Sequence, residues 1–113
     1  MAMNSAGLTA AADGFKAAYP YLSIHTTGAV SSSTGESTAA RVAAAWVNTN
    51  GTLTSTNKSF TGGAASGPAI RVGYWSAATG GTYGGGSLLT GDQTFNAAGA
   101  YTITSVTETG SAT

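Results

Sequence analysis

Cysteine is absent from the 113 residues, which excludes disulfides, thiolate nucleophiles and cysteine-based metal sites together. Charge is nearly absent as well: 7% of the residues are charged, against about 25% in an ordinary soluble protein. Four basic and four acidic side chains cancel, so there is no basic field to attract a phosphate backbone or anionic lipid. Nucleic acid is not an expected partner. No run approaches the roughly 20 apolar residues of a membrane span, and membrane insertion is not expected. The opening Met1-Ala2-Met3-Asn4-Ser5-Ala6-Gly7 has neither the basic region nor the apolar core of a secretory signal. Asn50-Gly51-Thr52 and Asn57-Lys58-Ser59 match the glycosylation sequon, but without an export signal they read as turn sequences.

What is present is hydroxyl-rich and glycine-rich, with 17 glycines, yet 42% of the residues are hydrophobic. Trp46, Trp75, Phe60, Phe95 and the tyrosines supply large side chains to bury, so a folded chain is expected rather than a disordered one. The length suits one domain spanning 1–113. Few charges at zero net charge leave little repulsion to oppose contact between copies, and a homo-oligomer is expected.

Leu8, Ala11, Ala12, Phe15 and Ala18 recur at intervals of three and four, which predicts a helix over 4–19, capped by Asn4 or Ser5 and stopped by Pro20. The remainder, 20–113, reads as β. Tyr21–Thr27 alternates Leu22 and Ile24 with Ser23 and His25, a half-buried strand with a polar outer face. Gly28–Ser37 reads as a mobile surface loop. Ala39–Val47 is ambiguous between helix and strand, and the alternation of Val42, Ala44 and Trp46 favours strand. Asn50-Gly51 is a hairpin turn leading into Thr52–Thr56. Ala69–Trp75 is the strongest strand, with Ile70, Val72 and Tyr74 on one face; Tyr83–Leu89 and Tyr101–Thr107 follow. The expected fold is all-β: a compact antiparallel β-sandwich or small barrel of about five to seven strands with a short N-terminal helix.

Each catalytic constellation lacks members. Asp13, Glu36, Asp92 and Glu108 are scattered, so no paired-carboxylate site is indicated. His25 is the single histidine and no Gly-x-Ser-x-Gly elbow accompanies it; it reads as a partly exposed residue beside Ser23. Zinc would need three or four ligands, which one histidine and no cysteine do not supply. Gly80–Gly86 has no Gly-Lys-Ser/Thr ending, so it is not a phosphate loop. No enzyme, metal or cofactor is expected. Tyr19, Tyr21, Tyr74, Trp75 and Tyr83 are candidates for a glycan platform, or for core packing plus a subunit contact. Gly73, between Val72 and Tyr74, marks a place where another backbone or a ring comes close.

The segment Arg71-Val72-Gly73-Tyr74-Trp75-Ser76-Ala77-Ala78-Thr79-Gly80-Gly81-Thr82-Tyr83-Gly84-Gly85-Gly86-Ser87-Leu88 resembles a family of small tailed-phage virion proteins of the head-decoration or tail-fibre type, as found in actinobacteriophages. Ser37–Val42 and Thr94–Ile103 are similar, in order, to two further segments of that family, although Ala40 intervenes in the first. The resemblance implies a structural role without catalytic residues, in the virion, made in the host cytoplasm. Its implied partners are the major capsid protein, or tail proteins, of the same phage. Decoration of the outer capsid is the preferred expectation, with a minor tail or tail-fibre component next and a carbohydrate-binding module third. Tyr74, Trp75, Tyr83, Gly84, Gly85 and Gly86 are the candidate assembly contacts.

Overall fold

The computed structural model describes residues 4–109, so residues 1–3 and 110–113 of the expected domain lie outside the described residues. A single helix, α1 (Ser5–Ala18), precedes seven strands: β1 (Tyr21–His25), β2 (Val42–Ala43), β3 (Val47–Thr49), β4 (Thr52–Phe60), β5 (Arg71–Trp75), β6 (Tyr83–Leu88) and β7 (Tyr101–Thr109). They form two antiparallel sheets, ordered β2-β1-β5-β6 and β3-β4-β7, around one apolar core. The fold is the expected all-β sandwich with an N-terminal helix.

The Asn4 side chain caps α1 by accepting from the Gly7 amide at 3.0 Å. Its last turn closes when the Tyr19 amide donates to the Phe15 carbonyl, and Tyr19 then leaves helical geometry ahead of Pro20. The helix closes one end of the sandwich: Ala12 is buried, and the Phe15 ring meets Tyr74 and Trp46 edge-on at 5.6 and 6.3 Å. Leu22, Ile24, Val72 and Tyr74 from the first sheet face Leu53, Phe60, Ile103 and Val106 from the second.

The Asn50-Gly51 turn forms as expected, both residues taking the positive φ that a tight hairpin needs (51° and 91°). A methyl group on Gly51 would lie 2.5 Å from the Leu8 Cβ, so the turn also fits against α1. Asn48 fastens it there, donating to the Thr9 carbonyl and the Asp13 carboxylate at 3.0 and 2.8 Å.

Ala39–Val47 departs from expectation. Instead of one strand it supplies two short ones, β2 pairing with β1 and β3 pairing with β4, so the chain crosses between the sheets. Ala45, at a φ of 51°, makes the turn, and the buried Ala44 and Trp46 fill the crossing. In β4 a positive φ at Asn57 (53°) moves the inward face from Leu53 and Ser55 to Phe60. Partner strand β7 changes in step, from Tyr101 and Ile103 to Val106.

Candidate functional site

Tyr74 and Trp75 are adjacent on β5, so they project to opposite faces of the first sheet. Both are buried, at 2% and 8% exposure, which corrects the glycan-platform alternative for these two rings and agrees with core packing for Tyr74. Tyr74 enters the core, packed between Phe15 and Trp46. Trp75 lies on the outer face, under the Arg41 guanidinium at 3.7 Å and against the Tyr83 ring.

That outer face is also not the half-exposed one that alternation suggested. Ser23, His25 and Arg71 have no measurable exposure. The cover is the 26–37 segment, whose part from Gly28 to Ser37 reads as mobile from its composition but is tied down by Arg71. This guanidinium donates to the carbonyls of Thr27 (2.8 Å), Ser32 (2.6 Å) and Thr34 (2.6 Å), and to the Tyr83 hydroxyl. Tyr83 passes a hydrogen bond on to the Val30 carbonyl at 2.7 Å. A guanidinium keeps its charge inside a protein, and here carbonyl dipoles replace its water, with no carboxylate among its partners. Arg41 clips the rim, forked onto Glu36 at 2.8 and 2.9 Å and donating to the carbonyls of Ala77 and Gly80.

His25 Nδ1 lies 3.0 Å from the Thr34 carbonyl, which only accepts, so the proton sits on Nδ1. Nε2 is then the acceptor for the Ser23 hydroxyl at 2.7 Å, and Ser23 Oγ accepts from the Trp75 indole at 2.9 Å. Burial lowers the His25 pKa, with Arg71 adding to the effect against the opposing hydrogen bond to Thr34, and the ring is held neutral. The pair has the contacts of a serine–histidine dyad, but neither side chain meets solvent, so no substrate reaches it in this conformation. Gly73 makes the layer possible: a Cβ there would lie 2.5 Å from His25 Nε2 and 2.7 Å from Ser23 Oγ. The close approach expected at Gly73 is present.

Gly84, Gly85 and Gly86 lie on the edge strand β6. Register shifts between Tyr74 and Trp75, which pair with Gly85 and Tyr83, so Gly84 is the extra residue of a bulge. The bulge turns Tyr83 onto the same face as Trp75 and His25, its ring 5.3 Å from Trp75. The three glycines line an apolar cleft of about 350 Å³ with Ala12, Phe15 and Leu53. Tyr74 reaches this cleft from the core and donates its hydroxyl to Glu108.

Of the six candidate contacts, Tyr74 and the three glycines thus converge on one cleft, while Trp75 and Tyr83 belong to the covered layer on the opposite face. From sequence, Phe15 was a helix-face residue, Glu108 a scattered acid and Leu53 part of a strand, none of them a site residue; the inward pairing of Leu53 with Glu108 appears only once β4 and β7 are in register. A second hollow, of about 400 Å³, runs between Ser87–Leu89 and β7. Among the described residues, no three of His, Asp and Glu come together as a cation site, and no helix is long and apolar enough to cross a membrane.

Fold and site together define a small two-sheet β protein with a sealed polar face and, at the α1 end, an open apolar cleft. Comparison with protein-family models, curated proteins and solved structures finds no match to the chain.

Proposed function

We propose that the chain is a structural protein of a bacteriophage virion, docked on the outside of the major capsid lattice as a decoration protein. The observation that carries this reading is the Arg71–Leu88 segment, which resembles small tailed-phage virion proteins. It forms the β5–β6 hairpin and ends in an edge strand without a charged residue. Charge and proline are two of the devices that protect edge strands, and β6 has neither, its one irregularity being the bulge at Gly84.

A lattice partner suits the remaining surface. The outward side of the second sheet presents Thr102, Thr104, Thr107 and Thr109 with Thr56 and Ser59, a hydroxyl surface that forms hydrogen bonds without the cost of desolvating ions.

Quantitative mass spectrometry of purified virions, separated into heads and tails, tests the reading. Decoration requires the chain in the head fraction, at a copy number comparable with that of the major capsid protein. A few copies confined to the tail fraction would replace decoration by the tail reading, and absence from virions would sink both.

A further inference from the structure

The cleft between α1, β6 and the end of β7 holds a carboxylate for which the described residues provide no cation. Its walls are Ala12, Phe15 and Leu53, and Gly84–Gly86 leave room that side chains would otherwise fill. Glu108 sits within it, half-buried, accepting from Tyr74. Burial raises the Tyr74 pKa above its ordinary value, with Glu108 adding to the effect, so the phenol stays a proton donor and does not neutralise the carboxylate. The one ion pair among the described residues joins Arg41 to Glu36, on the opposite face of the first sheet, over Trp75.

An apolar trough with a carboxylate in it suits a cation on an aliphatic stem. The stem of a lysine covers apolar surface while its ammonium meets the carboxylate, and aromatic rings such as Phe15 add to the attraction. Both arginines of the chain are engaged within it. Neither lysine has an acidic partner among the described residues, but Lys58 is half-buried on β4 opposite Ile103, whereas Lys16 is exposed on α1, one turn beyond Ala12.

We infer that the cleft is the socket of a two-fold contact between two copies of this chain, the Lys16 of each entering the cleft of the other and pairing with Glu108. A two-fold contact requires plug and socket on one patch, and α1 carries the plug while forming a wall of the socket. Charge complementarity is local in a chain of zero net charge, so no general repulsion opposes the approach. The inference goes beyond the virion reading and stands without it.

Sedimentation velocity of the full chain over a concentration series tests the contact, with circular dichroism and urea unfolding to verify folding of each variant. The wild type is expected to dimerise. Glu108→Gln, which keeps an acceptor for Tyr74, and Lys16→Gln, on an exposed helix face, should each weaken the dimer at least about tenfold, as expected for truncating one partner of a partly desolvated charge pair. Lys16→Glu and Glu108→Lys should each abolish it, and the double reversal should restore it. A monomeric wild type, a Glu108→Gln dimer of unchanged affinity, or a folded double reversal that stays monomeric overturns the inference. So does a monomeric wild type whose Gly84–Gly86 amide resonances move on titration with n-butylammonium, since the cleft would then accept an ammonium from another source. Particle fractionation leaves this result untouched, so the two readings fail separately.

Discussion

The outer faces of the two sheets have similar polar composition and opposite fates. On the first, Ser23, His25 and Arg71 are sealed beneath the 26–37 segment; on the second, Thr102, Thr104, Ser105 and Thr107 stand in solvent. The difference lies in what each side chain reaches. Arg71 spans four acceptors spread from Thr27 to Tyr83, so it organises a cover made of backbone. A threonine hydroxyl on β7 has no such reach, and water serves it as well as protein would. Among the described residues, no buried side-chain nitrogen or oxygen lacks a hydrogen-bond partner, which is the condition for sealing a polar face at all.

The sharpest way to break the contrast is Arg71→Met. It keeps much of the apolar stem but removes the guanidinium donor from the carbonyls of Thr27, Ser32 and Thr34, the last of which still accepts from His25, and a loss of about 3–5 kcal/mol is expected, typical of a dismantled buried charged network. Urea unfolding measures it; a loss below about 1 kcal/mol would mean that the cover does not depend on the guanidinium. Gly73→Val comes next. Its added carbons collide with His25 and Ser23, for about 1–3 kcal/mol by overpacking, and unchanged stability would show that the layer yields freely.

Acid separates the faces by chemistry instead of by size. Burial lowers the folded pKa of His25 below its ordinary 6.5, so the unfolded chain binds the proton more readily. His25's contribution to stability is complete above 6.5 and is lost as pH falls from there through the folded value. Stability measured from neutral pH downward should therefore fall more steeply for the wild type than for His25→Gln, and parallel curves would contradict a neutral buried ring. The smallest effect is expected on the open face: Ser105→Ala should stay within about 0.5 kcal/mol of wild type, and a larger loss would reveal a partner for β7.

Local signals were legible where a short stretch of chain decides the outcome. Asn4 as a cap, Pro20 as a stop and Asn50-Gly51 as a hairpin each act within a few residues, and each appears in the structure. The inward positions Leu22, Ile24, Val72 and Tyr74 also followed from alternation, because one side of each strand must meet the core. Alternation could not report on the other side. Ser23 and His25 look solvent-facing by pattern, and they are buried because carbonyls distant in the chain replace water around Arg71 and His25. For Trp75 the pattern left a glycan platform and core packing plus a subunit contact both open, and it lies buried on the face opposite Tyr74.

The cleft was legible only in part, through Gly84–Gly86 and Tyr74. Its carboxylate comes from β7, and Leu53 and Glu108 meet there through a register set across the whole β4–β7 ladder. The amino-acid sequence by itself determined a charge-poor, cysteine-free, all-β chain with a capped helix, since composition, periodicity and turn chemistry are local properties. The tertiary structure alone decided which polar face is sealed and which acid stands in the cleft with no cation beside it among the described residues, because both depend on groups that only folding brings within hydrogen-bonding distance.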